Sequence, residues 1–234
     1  MKKIAIIAAM EQELTAIKNK FTKTEEKYLR DLKYYIGELN NKEYILIKSG
    51  IGKVNAARVT QMLIDKFELE YLINVGTAGA LNENLEIGDI VIGENLVQHD
   101  FDTTAFGDEK GYITGTGKIF KSDITLISKY KEYLQENLKK CNVIIGTIAS
   151  GDIFCTEQWM KKKIHSKFNA DCVEMEGAAI AQICQLNNIP FIVIRSISDK
   201  PNGKNHIDFN EFIEMASQRC ADIIWGFEKN QYIK

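Results

Sequence analysis

The chain has few of the residue patterns that hold metals, disulfides or nucleic acids. Its five cysteines (Cys141, Cys155, Cys172, Cys184 and Cys220) are odd in number and form no C-x-x-C pair, and its three histidines do not cluster. That pattern predicts reduced thiols packed as small hydrophobes in a cytoplasm, and no zinc site. A net charge of -2 and a pI near 6.0, with lysines scattered along the chain, argue against a nucleic-acid surface. A small neutral or weakly charged ligand fits better. No apolar run approaches the length of a membrane span. The apolar stretch after Lys2 and Lys3 is short and is followed by Glu11 and Glu13, so it reads as a buried strand and not as an export signal. No repeat, low-complexity run or linker interrupts the 234 residues, of which 45% are hydrophobic and 26% charged. One α/β domain over residues 1–234 is expected, near the upper size for a single core.

What is present is organised around residues 173–199. Val173-Glu-Met-Glu-Gly-Ala-Ala-Ile-Ala-Gln-Ile-Cys184 reads as a short strand entering a helix, and Asn188-Ile-Pro190 as a turn. Phe191-Ile-Val-Ile-Arg-Ser-Ile-Ser-Asp199 reads as a strand that ends in polar residues. Two parallel strands would then carry Glu174, Glu176 and Asp199 at their carboxyl ends, the edge at which open α/β sheets bind ligands. In an extended segment Glu174 and Glu176 share a side opposite Met175. Glu176 alone would serve equally as a helix N-terminal charge; three acids at neighbouring strand ends favour a site.

Taken from the start, residues 2–9 form an apolar run expected of a central strand buried on both faces. A helix follows over 10–20, with Glu11 and Glu13 either first-turn acids or, for one of them, a chemical group. Strands over 33–39 and 43–48 flank Asn40-Asn41 as a hairpin. Ser49-Gly-Ile-Gly-Lys53 opens a helix over 53–67; Gly50 and Gly52 allow close backbone approach, but the spacing is neither a dinucleotide fingerprint nor a P-loop. A strand over 70–75 ends in Gly76-Thr-Ala-Gly-Ala80, whose N–H groups and Thr77 hydroxyl either face a crevice or simply turn the chain. After a strand from Gly88, the polar and aromatic loop 98–107 suits a position under a partner or over a pocket, and His99 reads as structural. An amphipathic helix over 123–140 precedes a strand over 143–149. Ser150-Gly-Asp-Ile-Phe154-Cys155 then offers an aromatic face for a planar base, or else buries Phe154 in the core. A loop over 200–209 and a terminal helix to about 229 complete the chain.

These pieces together resemble one family. Ile6-Ile-Ala-Ala-Met-Glu-Gln-Glu13, Asn74-Val-Gly-Thr-Ala-Gly-Ala80, Thr104-Ala-Phe-Gly107, Ser150-Gly-Asp-Ile-Phe154, Val173-Glu-Met-Glu-Gly177 and Ser196-Ile-Ser-Asp199 are similar, in order and spacing, to the bacterial 5'-methylthioadenosine/S-adenosylhomocysteine nucleosidases of the purine nucleoside phosphorylase superfamily. The resemblance implies a three-layer α/β/α fold around a mixed, partly barrel-like sheet, a homodimer, and cofactor-free hydrolysis of the adenine–ribose bond. By the same resemblance Asp199 protonates adenine N7 with Ser198 holding it, and Glu13 deprotonates the attacking water. Glu176 accepts from the ribose 2' and 3' hydroxyls, with Glu174 beside it and Met175 against the sugar. Phe154 stacks on adenine while Cys155 reads the base edge through its backbone. Thr77 and Gly79 border sugar and water, and Arg195 lies close to the catalytic centre. Met10, Ile51 and Phe209 line the 5'-alkylthio pocket, joined by Thr103 and Phe106 from the partner subunit. Cys155 and Thr103 stand where members often carry more apolar side chains.

Two other functions are weighed against this one. A phosphorolytic enzyme holds phosphate with arginines, but the chain has only Arg30, Arg58, Arg195 and Arg219, and Glu13 would repel the anion. A catalytically silent adenosine-binding protein would gain little from a desolvated aspartate beside the base and a glutamate facing a water position. Within hydrolysis, the substrates to be separated are methylthioadenosine, S-adenosylhomocysteine, 5'-deoxyadenosine and aminodeoxyfutalosine.

Overall fold

Every residue of the first strand from Ile4 to Ala8 is buried, and successive side chains enter different cores. In the computed structural model, which describes residues 2–138, 141–200 and 205–230, Ile4, Ile6 and Ala8 face one layer of helices and Ala5 and Ile7 the other. This is the period-two consequence of an apolar strand covered on both sides. The elements run β1 (Lys3–Ala8), α1 (Glu11–Lys18), β2 (Thr24–Leu29), β3 (Leu32–Leu39), β4 (Lys42–Lys48), α2 (Lys53–Lys66), β5 (Leu69–Ala80), β6 (Ile90–Gln98) and β7 (Phe120–Lys121). Then come α3 (Ile124–Asn137), β8 (Val143–Ser150), α4 (Gln158–Phe168), β9 (Cys172–Glu174), α5 (Gly177–Leu186), β10 (Phe191–Asp199) and α6 (Asn205–Asn230).

Strands β1, β4, β5 and β10 run parallel. The hairpin β3–β4 turns through Asn40 and Asn41 at φ 52° and 59°, the left-handed pair that a two-residue turn requires and that asparagine tolerates. Past β10 the direction reverses. β6 pairs with β10 antiparallel, β8 and β9 run parallel to β6, and β9 returns antiparallel onto the end of β5. Strands β5, β10, β6, β8 and β9 thus close into a ring, from which β1, β4, β3 and β2 extend as an open sheet.

Helices α1, α3 and α6 pack on one face of this sheet and α2 and α5 on the other, giving the three-layer architecture that the resemblance implies. Helix α4 covers a third, smaller cluster with Ile164 against Ala149, Cys155 and Val173. Helix α6 is tied to the sheet by a buried acid. Glu228 accepts hydrogen bonds from Tyr44 (2.7 Å), Tyr71 (2.8 Å) and Tyr130 (3.0 Å), while burial pushes its carboxyl above the usual range. No helix among the described residues is long and apolar enough to cross a membrane.

The structure differs from the sequence reading at several points. Gly76–Ala80 is not a turn but the continuation of β5, because small residues here let other chain segments approach the strand closely. Strands β9 and β10 are not parallel neighbours; β5 lies between them, parallel to β10 and antiparallel to β9. Glu176 is no longer in a strand but at the N-cap of α5, so period-two alternation does not relate it to Glu174. The terminal helix begins at Asn205, which puts Phe209 on a helix and not in a loop. Residues 201–204 of the expected loop lie outside the described residues. The short strand β2 and helix α4 have no counterpart in the sequence reading.

Candidate active site

A cavity of about 430 Å³ opens where β1, β5, β9 and β10 end. Its wall holds all the same-chain residues singled out in the sequence, from Met10 and Glu13 through Ile51, Thr77, Gly79, Phe154, Cys155, Glu174, Met175 and Glu176 to Arg195, Ser198, Asp199 and Phe209. Thr103 and Phe106 are elsewhere on the surface. Phe106 is 87% exposed, and the Thr103 hydroxyl donates to Asp108.

Glu13 is aimed by the start of its own helix. Its Oε2 accepts the N–H groups of Ala9 and Met10, both at 3.0 Å, so the carboxylate folds back to cap α1. Oε1 accepts the Thr77 N–H at 3.0 Å from β5. A Cβ on Gly76 would lie 2.7 Å from that oxygen, so any larger residue would push the carboxylate out of this position. Burial raises the Glu13 carboxyl above its ordinary 4.5, against the pull of Arg195 and the three N–H groups.

Asp199 ends β10, buried beside Gly79, whose hypothetical Cβ would stand 2.8 Å from Oδ2. Ser198 Oγ donates to Oδ1 at 3.0 Å and Lys161 Nζ to Oδ2 at 3.0 Å. Gly76 and Gly79 are three residues apart on β5, so the acids they border stand over points roughly 10 Å apart along the strand.

The two glutamates of the Glu-Met-Glu stretch take different roles. Glu174 is fully engaged: Ser150 Oγ and Arg195 Nη2 donate to it, as do the N–H groups of Glu176 (3.1 Å) and Gly177 (2.7 Å). It organises the entry to α5 and holds the guanidinium. Glu176 accepts only the Gly52 N–H, at 2.8 Å, among its described partners, and its carboxyl is pushed up to about 8 by burial and then by the charge of Glu174. Arg195 also donates to Asn74 and to the Ile194 carbonyl, and Asn74 is itself held by the Ile7 carbonyl at 3.0 Å. Burial alone would lower the Arg195 pKa, but Glu174, Glu176 and Glu13 together raise it.

Phe154 is 44% exposed and meets Phe209 edge-on, with ring centroids 5.6 Å apart. It therefore belongs to the cavity mouth and not to the core. The Cys155 thiol is buried and pushed up to about 11, chiefly by desolvation, so it is a poor nucleophile. His99 is buried with its pKa lowered by desolvation, but its Nε2 has no hydrogen-bond partner among the described residues, so it is not the satisfied structural histidine expected from the sequence.

Lys161 is the residue that sequence reasoning missed. It lies outside the cavity lining, on helix α4, which has no counterpart in the sequence reading. The signal that does find it is the helical spacing of Met160, Ile164 and Phe168, which turns Lys161 inward with them.

The sequence profile described as "Phosphorylase superfamily" matches residues 3–228. Over 222 residues the chain is 44% identical to a 5'-methylthioadenosine/S-adenosylhomocysteine nucleosidase of Staphylococcus aureus, covering 94% of this chain and 96% of that protein. It superposes with a TM-score of 0.93 on an S-adenosylhomocysteine nucleosidase from Streptococcus pyogenes in complex with 5-methylthiotubericidin, 38% identical, over 98% of this chain and 97% of the other. With the same TM-score it superposes on a futalosine hydrolase of Helicobacter pylori, 34% identical, over 97% of each chain.

Proposed function

Because the chain belongs to the phosphorylase superfamily, we propose that it hydrolyses the bond between adenine and ribose in 5'-methylthioadenosine and S-adenosylhomocysteine, releasing adenine and the 5'-substituted ribose. The observation that carries this reading is the pair of buried carboxylates, Glu13 and Asp199, bordering different glycines of one strand inside one cavity. Adenine leaves poorly as an anion, so Asp199 gives N7 a proton. Water is a weak nucleophile, so Glu13 takes its proton from the opposite side of the sugar. Glu176, in the same cavity wall, accepts from the ribose hydroxyls and favours the positive charge that grows on the sugar. Glu174 acts by holding Arg195 and the start of α5. Phe154 and Cys155 face the base, and Met10, Ile51 and Phe209 the 5' group.

Hydrolysis is preferred to phosphorolysis because Arg195 is the one arginine among the described residues of the cavity wall, and its described contacts are to Glu174, Asn74 and a carbonyl. Incubating the protein with methylthioadenosine should release free adenine at the same rate with and without phosphate; a requirement for phosphate would overturn the assignment. Turnover of 5'-deoxyadenosine and aminodeoxyfutalosine on the same preparation sets the substrate range, since a futalosine hydrolase shares the fold.

The Glu176 carboxyl must be ionised to accept from two hydroxyls, and in the ligand-free cavity its pKa is about 8. Raising the pH through that value removes the proton, so the Michaelis constant for methylthioadenosine should fall as pH rises toward and past it. Glu176→Gln should flatten this dependence and discriminate less against 2'-deoxy analogues. A dependence that survives in the variant, or unchanged discrimination, would take Glu176 out of the ribose site.

We further propose a cytoplasmic homodimer in which Thr103 and Phe106 reach the partner's 5' pocket, a role that a large exposed aromatic suits. Phe106→Ala should raise the Michaelis constant for methylthioadenosine several-fold more than for adenosine, at about 0.8 kcal/mol per methylene-sized group buried. A fully active monomer in light scattering, or equal impairment on both substrates, would refute the shared site.

A further inference from the structure

Asp199 is gripped from behind by a lysine that does not line the cavity. Lys161 Nζ stands 3.0 Å from Asp199 Oδ2, and the two side chains are 1% and 3% exposed. Its neighbours Lys162 and Lys163 are exposed, as lysines on a helix surface usually are. A lysine serving only to dock α4 would be matched or bettered by an apolar side chain, because burying an ammonium carries a desolvation cost that aliphatic packing avoids. The position is specific in a second respect. Helix α4 follows directly from the segment bearing Phe154 and Cys155, so the chain that forms the base-facing wall also supplies the cation behind the acid.

We propose that Lys161 is a positioning residue for the hydrolysis, acting through Asp199. Together with Ser198 on Oδ1 and the close backbone of Gly79, it fixes the carboxyl on three sides. In the resting site Asp199 is the carboxylate partner of the Lys161 ammonium. It takes up a proton from solvent when substrate binds, and in the chemical step that O–H bond breaks as N7–H forms. The electron pair of the bond from C1' to N9 passes to adenine, and water adds to C1' while giving its proton to Glu13. Asp199 is left as a carboxylate in a buried site, and the Lys161 ammonium is the charge that matches it as it forms. The proposal rests on the hydrolytic reading given above.

The test is Lys161→Met, which keeps the length and packing of the stem and removes the charge. Adenine release from methylthioadenosine is measured together with the binding of methylthioadenosine and of its 7-deaza analogue, which lacks the N7 acceptor. We expect kcat to fall about 10- to 100-fold with the Michaelis constant within a few-fold of parent, as for a displaced catalytic group. The parent's preference for methylthioadenosine over the 7-deaza ligand should shrink. A folded variant with parental kcat overturns the proposal, and so does one that loses affinity for both ligands alike at unchanged kcat, since that is a purely structural role. If the methionine variant does not fold, Lys161→Gln is read by the same criteria. Failure of the parent to release adenine would instead refute hydrolysis, and the change in N7 discrimination would still report on Lys161.

Discussion

Asp199→Asn is expected to abolish adenine release while methylthioadenosine binds within a few-fold of its parental affinity. The amide is the same size and shape, and Ser198 can still donate to its oxygen. What it lacks is a proton acidic enough to transfer to N7, and loss of a positioned general acid costs about 10²–10⁴-fold in rate. The same change leaves the Lys161 ammonium buried against a neutral group. Removing one partner of a buried ion pair costs about 3–5 kcal/mol, so the variant should also melt at a lower temperature than the parent. Adenine release, calorimetric binding and a thermal melt on one preparation separate the two effects. Parental turnover would dismiss Asp199 as the acid; an unchanged melt would dismiss the ion pair as a significant contact.

Glu13→Gln should be equally silent in hydrolysis and should keep much of its substrate affinity. The carboxylate accepts on both oxygens, from Ala9 and Met10 on one and Thr77 on the other. Glutamine has one acceptor oxygen, so its NH₂ must face at least one of these N–H donors. A buried donor left unmatched costs about 1–3 kcal/mol, which should appear as a modest loss of stability. The pH behaviour gives the sharper test. Burial raises the Glu13 carboxyl above its ordinary 4.5, and the base works only when ionised. In the parent, therefore, kcat/KM should fall as acidification carries pH down through that raised value, earlier than for an ordinary glutamate. The glutamine variant has nothing to ionise, so raising the pH should not restore it. Recovery at high pH would identify another base.

Much of this architecture is readable from residue order. The apolar run of β1, the Asn40-Asn41 hairpin, the helix after Gly52 and the polar end of β10 each follow from local patterning, because buried strands, left-handed turns and helix starts constrain the residues that form them. The acids at those element ends are visible for the same reason: a charge next to an apolar run stands out. Less visible is how a residue far along the chain changes the meaning of a local motif. Gly76–Ala80 looks like a turn until β9 and β10 are placed beside it; then the same small residues are a strand that passes Glu13 and Asp199 at close range. Glu174 looks like a second ligand until Ser150, Arg195 and the N–H groups of α5 are seen to engage both its oxygens.

Residue order by itself determined most of the elements, though not β2, β7 or α4, and put Glu13, Glu176 and Asp199 near element ends. Only the tertiary structure decided that these ends meet, because the reversal of direction after β10 and the closure of β9 onto β5 are set by pairings between residues as far apart as Gly79 and Val173. It also decided the charge around each acid. Burial and the like charge of Glu174 push Glu176 up to about 8, while opposite charges fasten Glu174 to Arg195 and set Lys161 against Asp199. Desolvation and charge pairing act across space, so no local pattern of residues carries them.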